Sequence, residues 1–252
     1  MTTTPPAAIV AKHLQLDGPH GPVYGPLDMY VETGDLVVLQ GPQGSGRTSL
    51  LLTLAGRMRP SASTVQLTVG GQALPARRNH VQRRAAIAGF AGIDDLEPDV
   101  TVADAVRERL AWLTPWHRRT PSITVDYLDQ VAAPVFGHRP VPTPRTLVHD
   151  LDEVDGMLLR IAVALLAEPE LLVVDDLDQV HDTARRQIVW DRLAALAAAG
   201  LTVVASVASA GEVDAMTWVR EPRVVRLATG PQLETTPTDA GRPADHLCEE
   251  HA

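Results

Sequence analysis

The chain has 252 residues, 45% of them apolar and 21% charged, enough for one large or two small domains that bury a substantial core. A formal net charge of -9, from 22 basic against 31 acidic residues, argues against a protein whose affinity comes from neutralising nucleic-acid phosphates. The one cysteine, Cys248, excludes an internal disulfide and fits a reducing compartment, and neither a spanning run of apolar residues nor a secretory leader is expected from the MTTTPPAAIV start.

Residues 1–8 are polar and rich in Pro and Thr and read as a loose tail. DLVVLQ (35–40) is a compact aliphatic run of the kind buried on both faces of a parallel sheet, and SLLLTLAGRM (49–58) follows it as a helix. Val69-Gly70-Gly71 is a turn after TVQLTV, which predicts an antiparallel piece flanking the parallel sheet. Residues 92–156 differ in character: a short helix near VADAVRERLAWL precedes prolines at 115, 121, 134, 140, 142 and 144, as in an inserted, partly helical subdomain. MLLRIAVALLA (157–167) and DTARRQIVWDRLAALAAAG (182–200) are helical patterns ending before Pro169 and at Gly200, and ELLVVDD (170–176) and LTVVASV (201–207) are two more buried strands. Alternating strands and helices define an α/β fold. The division expected is a nucleotide-binding core over 9–91 and 157–230, a helical subdomain over 92–156, and an acidic, disordered tail over 231–252 with five acids and one base.

Between the first strand and its helix lies Gly41-Pro42-Gln43-Gly44-Ser45-Gly46-Arg47-Thr48, which fits G-x-x-x-x-G-K-[ST] at every fixed position except the lysine. Glycines in that context let successive N–H groups turn inward on phosphates, and the helix N-terminus adds its positive end. The candidate nucleotide-binding set is therefore Gly41 to Thr48 with Ser49, and the Thr48 hydroxyl is a candidate Mg²⁺ ligand. Arg47 keeps the charge but replaces a compact ammonium with a longer planar fork, so weaker nucleotide binding is expected.

MLLRIAVALLAEPELLVVDD, with Ala-Leu-Leu-x-x-Pro-x-Leu-Leu running into an acidic pair, resembles the ATP-binding subunit of ABC transporters. The resemblance extends over about 7–230 and takes in Leu54-Ala55-Gly56, Pro60 and Pro98-Asp99-Val100-Thr101-Val102. It implies a P-loop NTPase (RecA-like) core, ATP and Mg²⁺ as cofactors, and a membrane permease subunit as partner on the inner face of the plasma membrane. A second cassette as heterodimer partner is left open, and nucleic acid is not expected.

On the family's pattern, Asp175 stands at the metal-side aspartate and Asp176 at the glutamate that polarises the attacking water, shorter by one methylene. The resemblance puts the Q-loop glutamine on Gly92 and the switch histidine on Ala208, which lack the needed groups. It puts the LSGGQ signature on Leu151-Asp152-Glu153-Val154-Asp155, where three carboxylates would face a γ-phosphate and oppose ATP-driven closure of two copies. Asp152 also reads as a helix cap. Asp182 falls on the D-loop aspartate, and Leu177-Asp178 replaces the usual Pro-Thr. No aromatic occupies the expected adenine-stacking position near Gly18, with Tyr24 and His20 as substitutes and an ordinary packed tyrosine as the alternative. These departures imply an ATP-binding subunit with weak or absent hydrolysis, in which Asp176 is the one candidate catalytic group. The alternative is a docking or regulatory module without a nucleotide cycle.

Overall fold

The computed structural model describes residues 7–61 and 66–228. Two long strands, β1 (Ala7–Gly18) and β2 (Gly21–Glu32), pair antiparallel from Gly18↔Gly21 outward. Ala7 and Ala8, placed by the sequence reading in the N-terminal tail, belong to β1. The tail assigned to 231–252 lies outside the described residues.

The strand β3 (Leu36–Gln40) is buried at every position, and its side chains alternate between two cores. Val37 and Leu39 face α1 (Arg47–Leu54), whereas Leu36 and Val38 face the helices on the other side. Helix α1 starts two residues before the predicted segment and stops early, because Gly56 takes a left-handed φ of 72° just past its end. Its Leu50, Leu51 and Leu54 are fully buried, each worth about 1.5–3 kcal/mol of transfer free energy.

A hairpin of β4 (Gln66–Val69) and β5 (Gln72–Leu74) turns at Gly70-Gly71 as expected, and β4 adds to β1. The antiparallel sheet therefore runs β2-β1-β4-β5. After α2 (Arg78–Arg84), β6 (Ala85–Ala88) enters the second sheet. The helical insertion holds α3 (Val102–Leu113) and α4 (Val125–Phe136). Thr101 and Asp104 form a capping box at α3, which is why that helix starts where the pattern says. Helix α4, with Pro134 inside it, was hidden by the proline count.

Helix α5 (Glu153–Leu165) begins four residues before the predicted segment, capped by Asp152. It leads into β7 (Leu171–Val174), α6 (Thr183–Ala198), β8 (Thr202–Val207), the one-turn α7 (Glu212–Ala215) and β9 (Arg223–Arg226). The second sheet, ordered β6-β7-β8-β3-β9, is parallel at every pairing. One core fills the space between it, α1 and the antiparallel sheet, and another lies between it and α4, α5 and α6. A small third core ties α3, α4 and Ile123 to Leu159 of α5. No helix among the described residues is long and apolar enough to cross a membrane.

Candidate nucleotide-binding site

The loop 41–46 leaves β3 at its C-terminal end, beside the ends of β7 and β8, where parallel sheets of this kind open their binding crevice. Gly41 N–H donates to Val207 O at 3.3 Å and Ser45 N–H to Pro42 O at 3.1 Å, so the loop closes on itself before the helix. Gly46 caps α1 with φ 82°, and a Cβ there would stand 2.3 Å from the Val23 carbonyl oxygen. Only glycine permits that approach. Ser45 Oγ is buried and has no hydrogen-bond partner among the described residues. Gln43 and Gly44 are exposed.

Beneath the loop, Thr48 Oγ1 donates to Asp175 Oδ2 at 2.6 Å, while Ser206 Oγ donates to Asp175 Oδ1 at 2.5 Å. Asp176 N–H in turn donates to Ser206 Oγ at 2.9 Å. Asp175 is 5% exposed and Ser206 fully buried, so the carboxylate is held from both sides in fixed orientation. Thr48 and Asp175, both expected from sequence on the metal side, lie in contact here, and Ser206, which also holds Asp175, was not expected. The available signal was a hydroxyl in an otherwise aliphatic strand. A glycine cradle at a helix N-terminus, an unpartnered buried hydroxyl and two hard oxygen ligands side by side fit a Mg-nucleotide.

Arg47 does not point into the cradle. Its Nη1 donates to Gly41 O at 2.7 Å, folding the guanidinium back across the loop. Asp176 sits in a left-handed turn, φ 50° and ψ 61°. Its carboxyl is pushed above the usual range chiefly by burial, then by Asp178 and Asp175, with Arg47 and His181 opposing.

Around this centre the other sequence-predicted positions have structural occupations. Gly92 N–H donates to Asp95 Oδ2 at 2.6 Å, and Ala208 N–H to Asp178 Oδ2 at 2.6 Å. Asp94 accepts from Gly89 N–H and Phe90 N–H, and Gly89 is needed where its Cβ would meet Asp175 O at 2.4 Å. Gln179 Nε2 donates to Gly89 O at 2.8 Å, and Arg160 reaches Gln179 Oε1 at 3.1 Å and Asp95 at 3.3 Å. The turn after β6 and the turn after β7 are thereby tied through α5.

At the start of α5, Asp152 Oδ1 accepts from Asp155 N–H at 2.8 Å, the cap anticipated from sequence. Arg139, which the sequence reading did not single out, binds Asp152 at 2.7 Å and Asp155 at 2.5 Å. Burial pushes Asp152 up, but the Asp155 N–H and Arg139 outweigh it and hold the carboxyl below its ordinary range. Glu153 receives His181 N–H and Nδ1. Asp182 caps α6 by accepting from Arg185 N–H at 2.9 Å. Tyr24 is fully buried, donating to Thr53 Oγ1 at 2.7 Å, so it is the packed tyrosine and no stacking platform.

Strand, glycine loop, helix and the paired Thr48 and Asp175 on a parallel sheet define the core as a P-loop NTPase fold. The family described as ABC transporter matches residues 24–178, and the chain belongs to that family. Nod factor export ATP-binding protein I of Burkholderia orbicola is 28% identical over 181 residues, covering 71% of this chain and 55% of that protein. The protein of the same name from Ralstonia nicotianae is 29% identical over 195 residues, covering 71% and 52%. The chain spans about half the length of the curated relatives it matches. Among solved structures, cbiO1 from Clostridium perfringens, part of the cbiONQ ABC transporter complex, has a TM-score of 0.63 at 14% identity, covering 81% of this chain and 79% of that one. A bacterial ABC transporter cassette solved as a dimer has a TM-score of 0.64 at 16% identity, covering 87% and 94%. These two likenesses show the fold.

Proposed function

We propose that the chain is the ATP-binding subunit of an ABC-type membrane transporter, binding Mg-ATP with weak or absent hydrolysis. The observation that carries this reading is the Thr48–Asp175 contact of 2.6 Å beneath an intact glycine cradle, beside a water-activating position held by the short Asp176. In this reading residues 9–91 and 157–230 are the nucleotide-binding core and 92–156 a helical subdomain. The N–H groups of Gly41 to Ser49 hold the phosphates, and the Thr48 hydroxyl and Asp175 turn to the Mg²⁺ shell. Bound Mg-ATP supplies the phosphate charge and the binding free energy that the subunit uses. Asp176 is the weak candidate base: its raised proton affinity suits the role, but its reach is one methylene short, and Gly92 and Ala208 bring no side chain to orient water.

The partner is a membrane permease, which places the chain in the cytoplasm on the inner face of the plasma membrane. A second cassette completing a heterodimer is compatible with the acidic α5 start. The relatives named for Nod factor export favour export over import.

Titration of a fluorescent ATP analogue with Mg²⁺ tests the binding half, with saturable binding expected that Arg47→Ala weakens. Phosphate release tests the other half, where little is expected from the parent and little recovery from Asp176→Glu, because groups acting as a unit do not add. Brisk turnover by the parent would overturn the hydrolysis reading. A second reading, a docking module without a nucleotide cycle, draws on Arg47 folded onto Gly41 O, and absence of binding at millimolar nucleotide selects it.

A further inference from the structure

Residues 175–179 form a turn closed at both ends. At its start, Asp175 N–H donates to Ala88 O at 2.9 Å, and at its end the Gln179 side chain returns to the same neighbouring segment, with Nε2 donating to Gly89 O at 2.8 Å. Between them Asp176 holds a left-handed backbone, φ 50° and ψ 61°, which a residue with a side chain keeps only where its surroundings enforce it. Two contacts do so: Asp176 N–H donates to Ser206 Oγ at 2.9 Å, and Gln179 N–H donates to Asp176 O at 3.1 Å. Leu177 and Val180, both fully buried, seat the turn on the core.

A glutamine can bridge two partners in either sense, and here its neighbours decide. Arg160 Nη1 has only donors to offer and stands 3.1 Å from Gln179 Oε1, which leaves Nε2 for the Gly89 carbonyl. The opposite sense would set N–H against N–H and carbonyl against carbonyl. Arg160, its side chain 21% exposed, is in turn held by Asp95 at 3.3 Å. The acceptor is fixed too, because Gly89 packs so closely that a Cβ there would lie 2.4 Å from Asp175 O. Gly92 leaves the turn after β6 without the glutamine that the family's pattern places there, and Gln179 reaches that turn from the opposite side.

We propose that Gln179 and Arg160 are positioning residues for the acidic pair. Gln179 closes the turn that places Asp176 and, against Gly89, Asp175, and Arg160 fixes the sense of the Gln179 amide. Neither side chain hydrogen-bonds to residues 41–48 among the described residues, so both act through the turn. Loss of one neutral hydrogen bond changes a local equilibrium about 3- to 10-fold, which is the effect expected when Gln179 no longer reaches Gly89. Asp95 is half exposed and its pair with Arg160 is screened, so its loss should change the same quantity only about twofold. The inference rests on reading Asp175 and Asp176 as the metal and water side of a nucleotide site, and the experiment therefore has one arm without nucleotide.

In that arm, NMR of the full chain reads the Asp176 backbone directly, because a left-handed residue brings its amide proton and Hα closer together than one with negative φ. The parent should show this close pair, and Gln179→Leu should weaken it as Asp176 relaxes. In the second arm, the Mg²⁺ concentration for half-maximal binding of a fluorescent ATP analogue is compared among variants that are all fully folded, so a merely structural role would not move it. It should rise about 3- to 10-fold in Gln179→Leu and less in Arg160→Met. The double substitution should match Gln179→Leu alone within about twofold, because Arg160 acts through Gln179. Gln179→Glu keeps the acceptor for Arg160 and loses only the donor to Gly89, so it should act in the same direction, and it serves if Gln179→Leu does not fold. An Asp176 signature unchanged without the Gln179 donor overturns the inference, as do additive effects of the two substitutions or an unchanged Mg²⁺ dependence in a chain that binds the analogue. A signature that responds in a chain that binds no analogue supports the positioning role and overturns the nucleotide reading instead.

Discussion

Ser206 orients Asp175, the aspartate proposed to face the metal, and its removal has a calculable cost. Its hydroxyl donates to Asp175 Oδ1 at 2.5 Å and accepts Asp176 N–H at 2.9 Å, and the side chain is fully buried. Ser206→Ala deletes a hydrogen bond to an ionised carboxylate, worth about 1.5–3 kcal/mol, and orphans a backbone N–H, costing about 1–3 kcal/mol more. Because Asp176 is half-buried, water can reach part of that N–H, so the expected loss is about 2–4 kcal/mol. Urea unfolding at neutral pH reads it directly. With one of its two holds gone, Asp175 can rotate away from Thr48, so the Mg²⁺ concentration for half-maximal ATP-analogue binding should rise roughly 10-fold or more. A stability change below about 0.5 kcal/mol, with unchanged Mg²⁺ dependence, would show that Thr48 alone suffices and that the argument is wrong.

The Tyr24 phenol is pushed from 10.0 up to about 12 by burial, with the Thr53 hydrogen bond opposing. Since the folded value is the higher, its contribution of ~2–3 kcal/mol is present below pH 10 and lost as pH rises through 12; urea midpoints should fall across that range, and Tyr24→Phe should flatten the fall. Glu212, 2% exposed, binds Arg186 at 2.5 and 3.1 Å and Trp190 Nε1 at 2.8 Å, tying α7 to α6. Glu212→Gln leaves Arg186 without its counter-charge and should cost about 3–5 kcal/mol in thermal or urea unfolding, and adding Arg186→Met should recover part of it. Arg139→Ala should lower stability by about 1 kcal/mol at neutral pH. That difference should vanish as pH falls through the carboxylate range, because Asp152 has a depressed folded value and contributes stability only while ionised.

The parallel sheet was legible in the sequence because its strands are short aliphatic runs with no polar face, and 35–40, 170–176 and 201–207 all contain strands. β1 and β2 were not legible. β1 is bulged at several registers, which breaks its alternation, and in β2 the alternation is confined to Leu27-Asp28-Met29-Tyr30-Val31, buried at 27, 29 and 31, with Gly25 and Pro26 just before it masking the strand. The edge strand β9 reads Arg-Val-Val-Arg, too short and too charged to stand out. In the site, the phosphate loop and Thr48 with Asp175 followed from motif and context. The contacts of Ser206, Arg139, Arg160 and Gln179 did not, because each joins segments far apart in the chain and leaves no local spacing to read.

In the proposed pairing with a second cassette, the start of α5 is the part of this chain that would meet a nucleotide held by the facing cassette. Sequence alone suggests plain repulsion from Asp152, Glu153 and Asp155, at roughly 3 kcal/mol per like-charge pair at about 5 Å and an effective dielectric near 20. The structure reduces that sum. Arg139 is shared by Asp152 and Asp155, so this trio presents one net negative charge where two were counted, and Glu153 is engaged by His181. A second effect does not cancel. Asp155 N–H is already given to Asp152 at 2.8 Å, so an incoming phosphate must displace a carboxylate to obtain it, exchanging one charge-assisted bond for another with almost no net gain. On this geometry the occupied cap, more than the residual charge, would oppose a phosphate at the helix end. Rebuilding residues 151–155 as LSGGQ would remove both the cap and the partners of Arg139, freeing its guanidinium beside the helix end, where it would attract the phosphate that the native sequence turns away.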